Sequence, residues 1–147
     1  MKYFRILSAA FILSLFSYKP LDAQSAKPTI IKFATLAPEG TSWVKVLREF
    51  AKDVETQTNG GVKFKIYTGG VQGDEKDIIR KIKTGQLHAS GFTGVGIGEI
   101  AKEMRVLDAP FLFKNTDEID YVYLKFNDEF SKIFENKGFI LLGWSEI

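Results

Sequence analysis

Apolar residues along the chain fall alternately into short stretches rich in β-branched residues and longer stretches with helical spacing. The short stretches predict strands at residues 29–35 (TIIKFAT), 62–67 (VKFKIY), 87–92 (LHASGF) and 139–144 (FILLGW). The second alternates apolar and basic residues, which is typical of an edge strand. The third consists of small residues, which favours a central strand with close neighbours. The fourth is wholly apolar, which favours a buried strand.

The first two longer stretches predict helices that begin at capping side chains. Thr41 can cap a helix that runs to about Thr58, and Asp74 can cap a helix that Gly85 ends. The apolar residues of the first helix recur with helical spacing and form one face. Trp43 lies on this face, so it is predicted to belong to the core rather than to a ligand site.

Three further helices are predicted at residues 94–103, 117–126 and 128–136. Residues 107–113 (LDAPFLF) are apolar but interrupted by Pro110, which predicts a buried irregular connection. Strands that alternate with helices predict an α/β fold. Its sheet should be mostly parallel and covered by helices on both faces.

The N-terminal residues have the layout of a secretory signal. Lys2 and Arg5 precede a short apolar stretch at residues 6–16, and a polar segment ends in the small residue Ala23. We therefore predict a signal peptide at residues 1–23 and an exported chain at residues 24–147. The alternative is an uncleaved membrane anchor, although the apolar stretch is much shorter than the roughly 20 residues that span a bilayer.

Composition excludes several classes of protein. The chain has no cysteine and a single histidine, which excludes a disulfide scaffold, a thiol enzyme and a zinc ribbon. The formal charge of +2 falls to zero once residues 1–23 are removed, so we expect no nucleic-acid partner. The glycine run GFTGVGIGEI does not have the spacing of a nucleotide-binding motif, so we expect no cofactor.

The candidate catalytic and metal-binding residues favour structural roles. His88 lies within a predicted strand. No acid or hydroxyl residue stands at a spacing that would indicate a catalytic partner, which favours a core or edge position for His88. Asp74, Glu75 and Asp77 could bind a cation, but helix capping explains them more simply. No catalytic pair or triad stands out, so the chain is predicted not to be an enzyme and to hold no metal.

Three loops are expected to meet at one edge of the sheet. Residues 36–41, 68–74 and 92–94 each follow a predicted strand and lead into a predicted helix. In open α/β sheets, ligands bind outside the carboxyl ends of the strands. Free N–H groups at the helix starts suit an anion, so a carboxylate or phosphate ligand is expected.

Four tracts occur in the order and spacing of one known family. They are IKFATLAPEGTSW at residues 31–43, GGVQGDEKDIIRKIKTGQLHASGF at 69–92, VLDAPFLF at 106–113 and KGFILLGWSE at 137–146. In these tracts the chain resembles the N-terminal portion of the substrate-binding proteins of TRAP (tripartite ATP-independent periplasmic) transporters, the DctP-like family. The resemblance implies a periplasmic-binding-protein-like lobe at residues 24–147, incomplete because the sequence stops before a second lobe.

The resemblance also implies a function. Such proteins capture a small organic acid in the periplasm by closing two lobes around it. They deliver the acid to a sodium-coupled permease made of a small four-span and a large multi-span membrane subunit. The alternative is a periplasmic ligand-sensing or interaction module without transport.

The resemblance places five residues at the ligand cleft. It implies that Leu36 and Ala37 border the cleft, that Glu75 takes part in binding, and that Phe92 supplies an apolar wall. Thr93 stands where some sialic-acid-binding members have an acid, so it offers one hydrogen-bonding hydroxyl instead.

The remaining implications concern parts beyond these residues. The arginine that grips the substrate carboxylate in this family is expected beyond Ile147. A return strand from the second lobe is expected between the strands at residues 87–92 and 139–144.

Overall fold

The computed structural model describes residues 27–145. The predicted signal peptide at residues 1–23 lies outside the described residues. The described chain is a mixed α/β structure with a three-stranded parallel sheet, so the predicted fold class is confirmed.

The sheet has the strand order β2-β1-β3. Its strands are β1 (Thr29–Ala34), β2 (Val62–Tyr67) and β3 (Ala89–Ser90). Central β1 pairs in parallel with both neighbours, and Ala34 stands opposite Tyr67 on one side and Ser90 on the other. The predicted edge position of β2 is confirmed within this sheet.

The central position predicted for the third strand does not occur within the described residues and stays a prediction that depends on the expected return strand. β3 has two residues and forms the other edge of the described sheet. The glycine that follows this strand is small because a helix side chain packs against it. A Cβ atom added at Gly91 would lie 2.7 Å from the outer atoms of the Trp43 indole ring. The absence of a side chain at Gly91 therefore makes room for a helix side chain, not for a neighbouring strand.

The first two helices begin at the predicted caps. The helix α1 (Ser42–Gln57) follows Thr41, whose hydroxyl accepts a hydrogen bond from Val44 N–H. The helix α2 (Glu75–Lys83) follows Asp74, whose carboxylate accepts from Asp77 N–H at 2.9 Å. Trp43 of α1 is partly buried and lies 6.1 Å from the Phe33 ring, so it contributes to the packing as predicted.

The second half of the described chain is helical. It comprises α3 (Gly94–Ile100), a 3₁₀ helix (Lys102–Asp108), α4 (Thr116–Lys125) and α5 (Asn127–Glu135). The predicted helix at residues 94–103 ends early because Ala101 adopts an extended backbone, with φ −138° and ψ 98°. The tighter 3₁₀ helix then buries Met104.

The prediction that residues 107–113 are buried is wrong. Phe111 is fully exposed, and its backbone has a φ of 63°, which is rare for a residue with a side chain. Leu112 is 43% exposed. Leu107 packs against the core, but the rest of the tract is mostly exposed within residues 27–145, so composition alone does not predict burial here.

The segment at residues 139–144 is not paired as a strand within residues 27–145. It does not pair with residues 87–92, which agrees with the expectation that a return strand lies between the two segments. Its side chains still alternate as in a strand. Phe139 and Leu141 pack against the core, whereas Ile140 and Leu142 are 79% and 85% exposed. A strand needs a ladder of hydrogen bonds to a neighbouring strand, whereas Phe139 N–H donates to the Phe134 carbonyl at the end of α5, at 3.0 Å.

The core consists of two adjoining clusters. Buried residues of the first are Ile79, Ile100, Ala101, Met104 and Phe134, and those of the second are Ala34, Ile78 and Leu87. Neighbouring residues of α2 thus enter different clusters, so α2 joins the sheet to the helices after it. Phe92 packs against both clusters.

Candidate ligand-binding site

The loops after β1 and β2 are joined by backbone hydrogen bonds at the carboxyl edge of the sheet. Gly69 N–H donates to the Ala37 carbonyl at 2.9 Å, and Gly70 N–H donates to the Thr35 carbonyl at 3.2 Å. Both glycines have φ values near +60 to +70°, a conformation that side chains disfavour. These two hydrogen bonds therefore fix the position of one loop relative to the other.

Leu36 and Ala37 lie in this joined region, as the sequence predicts. The buried Thr35 hydroxyl accepts a hydrogen bond from Ala37 N–H at 3.1 Å, which fixes the turn out of β1. Leu36 is 39% exposed, and its Cδ2 atom would lie 3.5 Å from a Cβ atom at Gly70. Leu36 therefore covers the second loop while presenting part of its apolar surface to solvent.

Glu75, Phe92 and Thr93 form a second contact group. Glu75 Oε1 accepts a hydrogen bond from Thr93 N–H at 2.6 Å, and Glu75 Oε2 accepts one from the Thr93 hydroxyl at 2.8 Å. Gly96 makes this approach possible. A Cβ atom there would lie 2.6 Å from Phe92 and 2.9 Å from the Glu75 carboxyl carbon.

These three residues differ in accessibility. Glu75 is 5% exposed, Phe92 is partly buried between the two core clusters, and Thr93 is exposed. Of the three, only Thr93 is exposed. The role of all five predicted residues as ligand contacts stays a prediction.

Protein carboxylates already occupy helix starts that were expected to suit an anion. Asp74 caps α2, and Glu75 and Asp77 lie in its first turn. The Glu75 carboxylate also binds Thr93, the residue that caps α3. Each acid of this cluster has its own partner, since Asp77 accepts from Arg80 at 2.7 Å. The structure therefore supports helix capping, and at these two helix starts it disfavours the expected anion site.

The residue pair Glu39 and Arg48 was missed by sequence reasoning. Arg48 donates two hydrogen bonds to the Glu39 carboxylate, at 2.9 and 2.6 Å, and Thr68 donates a third at 3.1 Å. The hydrogen bonds from Arg48 lower the pKa of the Glu39 carboxyl. The pair ties the loop after β1 to α1 and to the end of β2. The two residues are nine positions apart, and Glu39 lies in the loop before α1. A pattern of helical spacing therefore could not predict the pair.

Trp43 and His88 also contribute near the edge of the sheet. Trp43 covers Gly91, and its indole N–H donates to the Ser145 hydroxyl at 3.2 Å. His88 Nδ1 accepts a hydrogen bond from Lys32 N–H at 3.1 Å. The histidine therefore extends the pairing beside β3, which agrees with the predicted structural role.

A separate open groove of about 460 Å³ lies beside α4, away from the strand ends. Its lining includes Leu112 and Tyr121, together with the acidic residues Asp117 and Glu118. None of the three loops at the sheet edge lines this groove, so it is separate from the candidate site.

None of the helices within residues 27–145 has the length and apolar character needed to cross a membrane.

The loops at the carboxyl ends of the strands lie where open α/β sheets bind their ligands. Residues 33–146 match the family described as bacterial extracellular solute-binding protein, family 7 (DctP). The chain belongs to this family, whose members are solute receptors rather than enzymes.

Individual relatives agree with the family match. A solute-binding protein of Chromohalobacter salexigens is 33% identical over 101 residues, which cover 68% of this chain. The solved sugar acid binding protein of Advenella mimigardefordensis, in complex with galactonate, is 26% identical and covers 80% of this chain with a TM-score of 0.74. A TRAP periplasmic solute-binding protein of C. salexigens with bound D-glucuronate is 30% identical and covers 78% of this chain with a TM-score of 0.70.

The match extends over a minor part of each relative. It covers 30% of the first relative named above and 38% of each of the two solved chains.

Proposed function

We propose that this protein is the periplasmic solute receptor of a TRAP-type transporter. It captures a small organic acid and delivers it to a sodium-coupled permease in the membrane. The proposal rests on the family match at residues 33–146, because the match includes all three loops at the sheet edge. Related receptors solved with galactonate and D-glucuronate support an acid that carries hydroxyl groups.

In this proposal the ligand lies against the loops that contain Leu36, Ala37, Phe92 and Thr93. Leu36 supplies apolar surface, and Thr93 supplies a polar atom that solvent can reach. The ligand carboxylate needs a cation from outside these loops, because residues 36–41, 68–74 and 92–94 contain no lysine or arginine. An arginine would suit this task, since its planar fork matches a carboxylate.

Calorimetry on the product of the complete reading frame that contains this sequence tests the binding step. The panel comprises dicarboxylates, keto acids and sugar acids, and we expect micromolar binding of at least one hydroxylated acid. Leu36→Glu places a negative charge beside the proposed ligand, so it should lower the affinity at least about tenfold. Leu124→Glu is the matched control, because Leu124 is 80% exposed on α4. If no acid binds, or if both variants bind as the wild type does, the proposed site is wrong.

Uptake into proteoliposomes that hold a TRAP permease tests the transport step. We expect uptake of the bound acid to require both the receptor and a sodium gradient. Binding without any receptor-dependent uptake would instead favour the ligand-sensing alternative. Export is tested separately by N-terminal sequencing of the periplasmic protein, which should begin at Gln24 if residues 1–23 are removed.

A further inference from the structure

Both oxygens of the Glu75 carboxylate accept hydrogen bonds from another residue of the protein. Its side chain belongs to α2, whereas its partner Thr93 follows β3, eighteen residues further along the chain. One oxygen accepts from the Thr93 N–H and the other from the Thr93 hydroxyl. With Glu75 only 5% exposed, the carboxylate is better placed to hold Thr93 than to contact a ligand.

The hydrogen bonds of the Thr93 hydroxyl determine what it can still offer. A threonine hydroxyl has one proton to donate and two lone pairs to accept with. The proton is donated to Glu75 Oε2 at 2.8 Å, and Val95 N–H donates to the hydroxyl oxygen at 3.3 Å. One lone pair remains, and Thr93 is exposed on the loop beside the candidate site.

We propose that Glu75 is a positioning residue that fixes the Thr93 hydroxyl as a hydrogen-bond acceptor, so that Thr93 recognises a hydroxyl group of the bound acid and not its carboxylate. This inference rests on the proposed function. It specifies which partner donates and which accepts the hydrogen bond in one of the ligand contacts. A ligand hydroxyl can donate a proton to the free lone pair. A ligand carboxylate has no proton to donate, and the nearby Glu75 carboxylate would repel it.

The consequence is a preference among organic acids. An acid with a hydroxyl group opposite Thr93 gains a hydrogen bond, whereas an acid with a methylene or fluorine there leaves the lone pair without a donor. A net hydrogen bond of ordinary strength corresponds to a difference in affinity of about two- to tenfold.

The test uses the product of the complete reading frame, with D-galactonate, D-glucuronate, their monodeoxyfluoro analogues and succinate as probes. Fluorine cannot donate a hydrogen bond, so each analogue removes one donor with little change in size. In the wild type, we expect fluorination at one position to weaken binding about two- to tenfold. Thr93→Ser keeps the hydroxyl and should keep this discrimination, whereas Thr93→Val should remove it.

Glu75→Gln tests the positioning role. The amide can accept from Thr93 N–H with its oxygen and donate to the Thr93 hydroxyl with its nitrogen, which uses the lone pair and frees the Thr93 proton. A ligand hydroxyl would then have to accept a hydrogen bond from Thr93 instead of donating one, so the discrimination against fluorine should change by at least about twofold. A purely structural role would lower the affinity for both probes of a pair equally and leave their ratio unchanged. Thermal melting checks folding, and the two Thr93 variants decide the contact even if Glu75→Gln does not fold.

The outcomes separate this inference from the proposed function. Binding of none of the tested acids overturns both. Tighter binding of succinate than of both sugar acids overturns the inference only, as does a discrimination that survives in Thr93→Val. If a folded Glu75→Gln variant has the same ratio of affinities for an acid and its fluorinated analogue as the wild type, the positioning role of Glu75 is overturned.

Discussion

Gly91 is expected to be intolerant of even one additional methyl group. It follows β3, where the indole ring of Trp43 covers the backbone. In Gly91→Ala the new Cβ atom would lie 2.7 Å from Cζ2 and Cη2 of Trp43, whereas carbon atoms in contact are ordinarily about 3.5–4.0 Å apart. The ring would have to retreat by about 1 Å. It is restrained by its packing on Phe33 and by its hydrogen bond to Ser145.

The expected loss of stability is the difference of two effects. Overpacking in a well-packed region costs about 1–3 kcal/mol. Replacing glycine by alanine gains about 0.4–1 kcal/mol, because the unfolded chain loses freedom and Gly91 does not have a positive φ. With both effects near the middle of their ranges, we expect Gly91→Ala to lower the free energy of unfolding by about 1 kcal/mol.

Urea unfolding followed by far-ultraviolet circular dichroism measures this difference. Gly143→Ala is the matched control, since a Cβ atom at Gly143 would have no neighbour within 4 Å. A double-mutant cycle identifies the clash. In a Trp43→Leu background, Gly91→Ala should cost less than about 0.5 kcal/mol, because the ring atoms that it meets are gone. A Gly91→Ala variant as stable as the wild type, or an equal loss in both backgrounds, would refute the contact.

Three further predictions concern the core, the backbone and one ion pair. Ile78→Ala should lower the free energy of unfolding in urea by about 2–5 kcal/mol, because Ile78 is 1% exposed, whereas Val46→Ala at a 64% exposed position should change it by less than about 0.5 kcal/mol. Equal effects would contradict the placement of the core. Phe111→Asn should raise the urea midpoint, because asparagine tolerates the positive φ and the exposed ring has no packing to lose; a lower midpoint would show that Phe111 has a partner. In nuclear magnetic resonance titrations, Glu39 should titrate below its ordinary pKa of 4.5, and Arg48→Met should raise its pKa. Because the folded pKa is the lower one, the pair stabilises the fold above the unfolded pKa and loses this effect as pH falls through the folded pKa; an unchanged pKa in Arg48→Met would contradict the contact.

Sequence patterns predicted the parts of this structure that depend on neighbouring residues. The starts of α1 and α2 were predictable because Thr41 and Asp74 bond to backbone groups three residues away. The strands β1 and β2 were predictable because each has a dense β-branched or alternating pattern. For the same reason the three loops of the candidate site could be located before their geometry was known.

The features that the sequence did not predict depend on distant parts of the chain. An apolar stretch becomes a paired strand only if a second backbone is beside it, and residues 139–144 lack one within residues 27–145. Residues 107–113 were judged by composition, although burial depends on what packs over them. The bond between Glu75 and Thr93 joins residues eighteen positions apart, and no periodicity indicates such a contact.

The two tryptophans of the chain can serve as intrinsic fluorescence probes. Trp43 lies against Gly91, two residues before Thr93, whereas Trp144 stacks on Tyr123 at a centroid distance of 4.4 Å. Indole emission depends on the local polarity, so events at the two places can be followed separately by replacing one tryptophan with phenylalanine. A variant that keeps only Trp43 would report docking beside the strand ends, and one that keeps only Trp144 would report the integrity of the aromatic packing around α4 and α5. No attached dye is needed for either measurement.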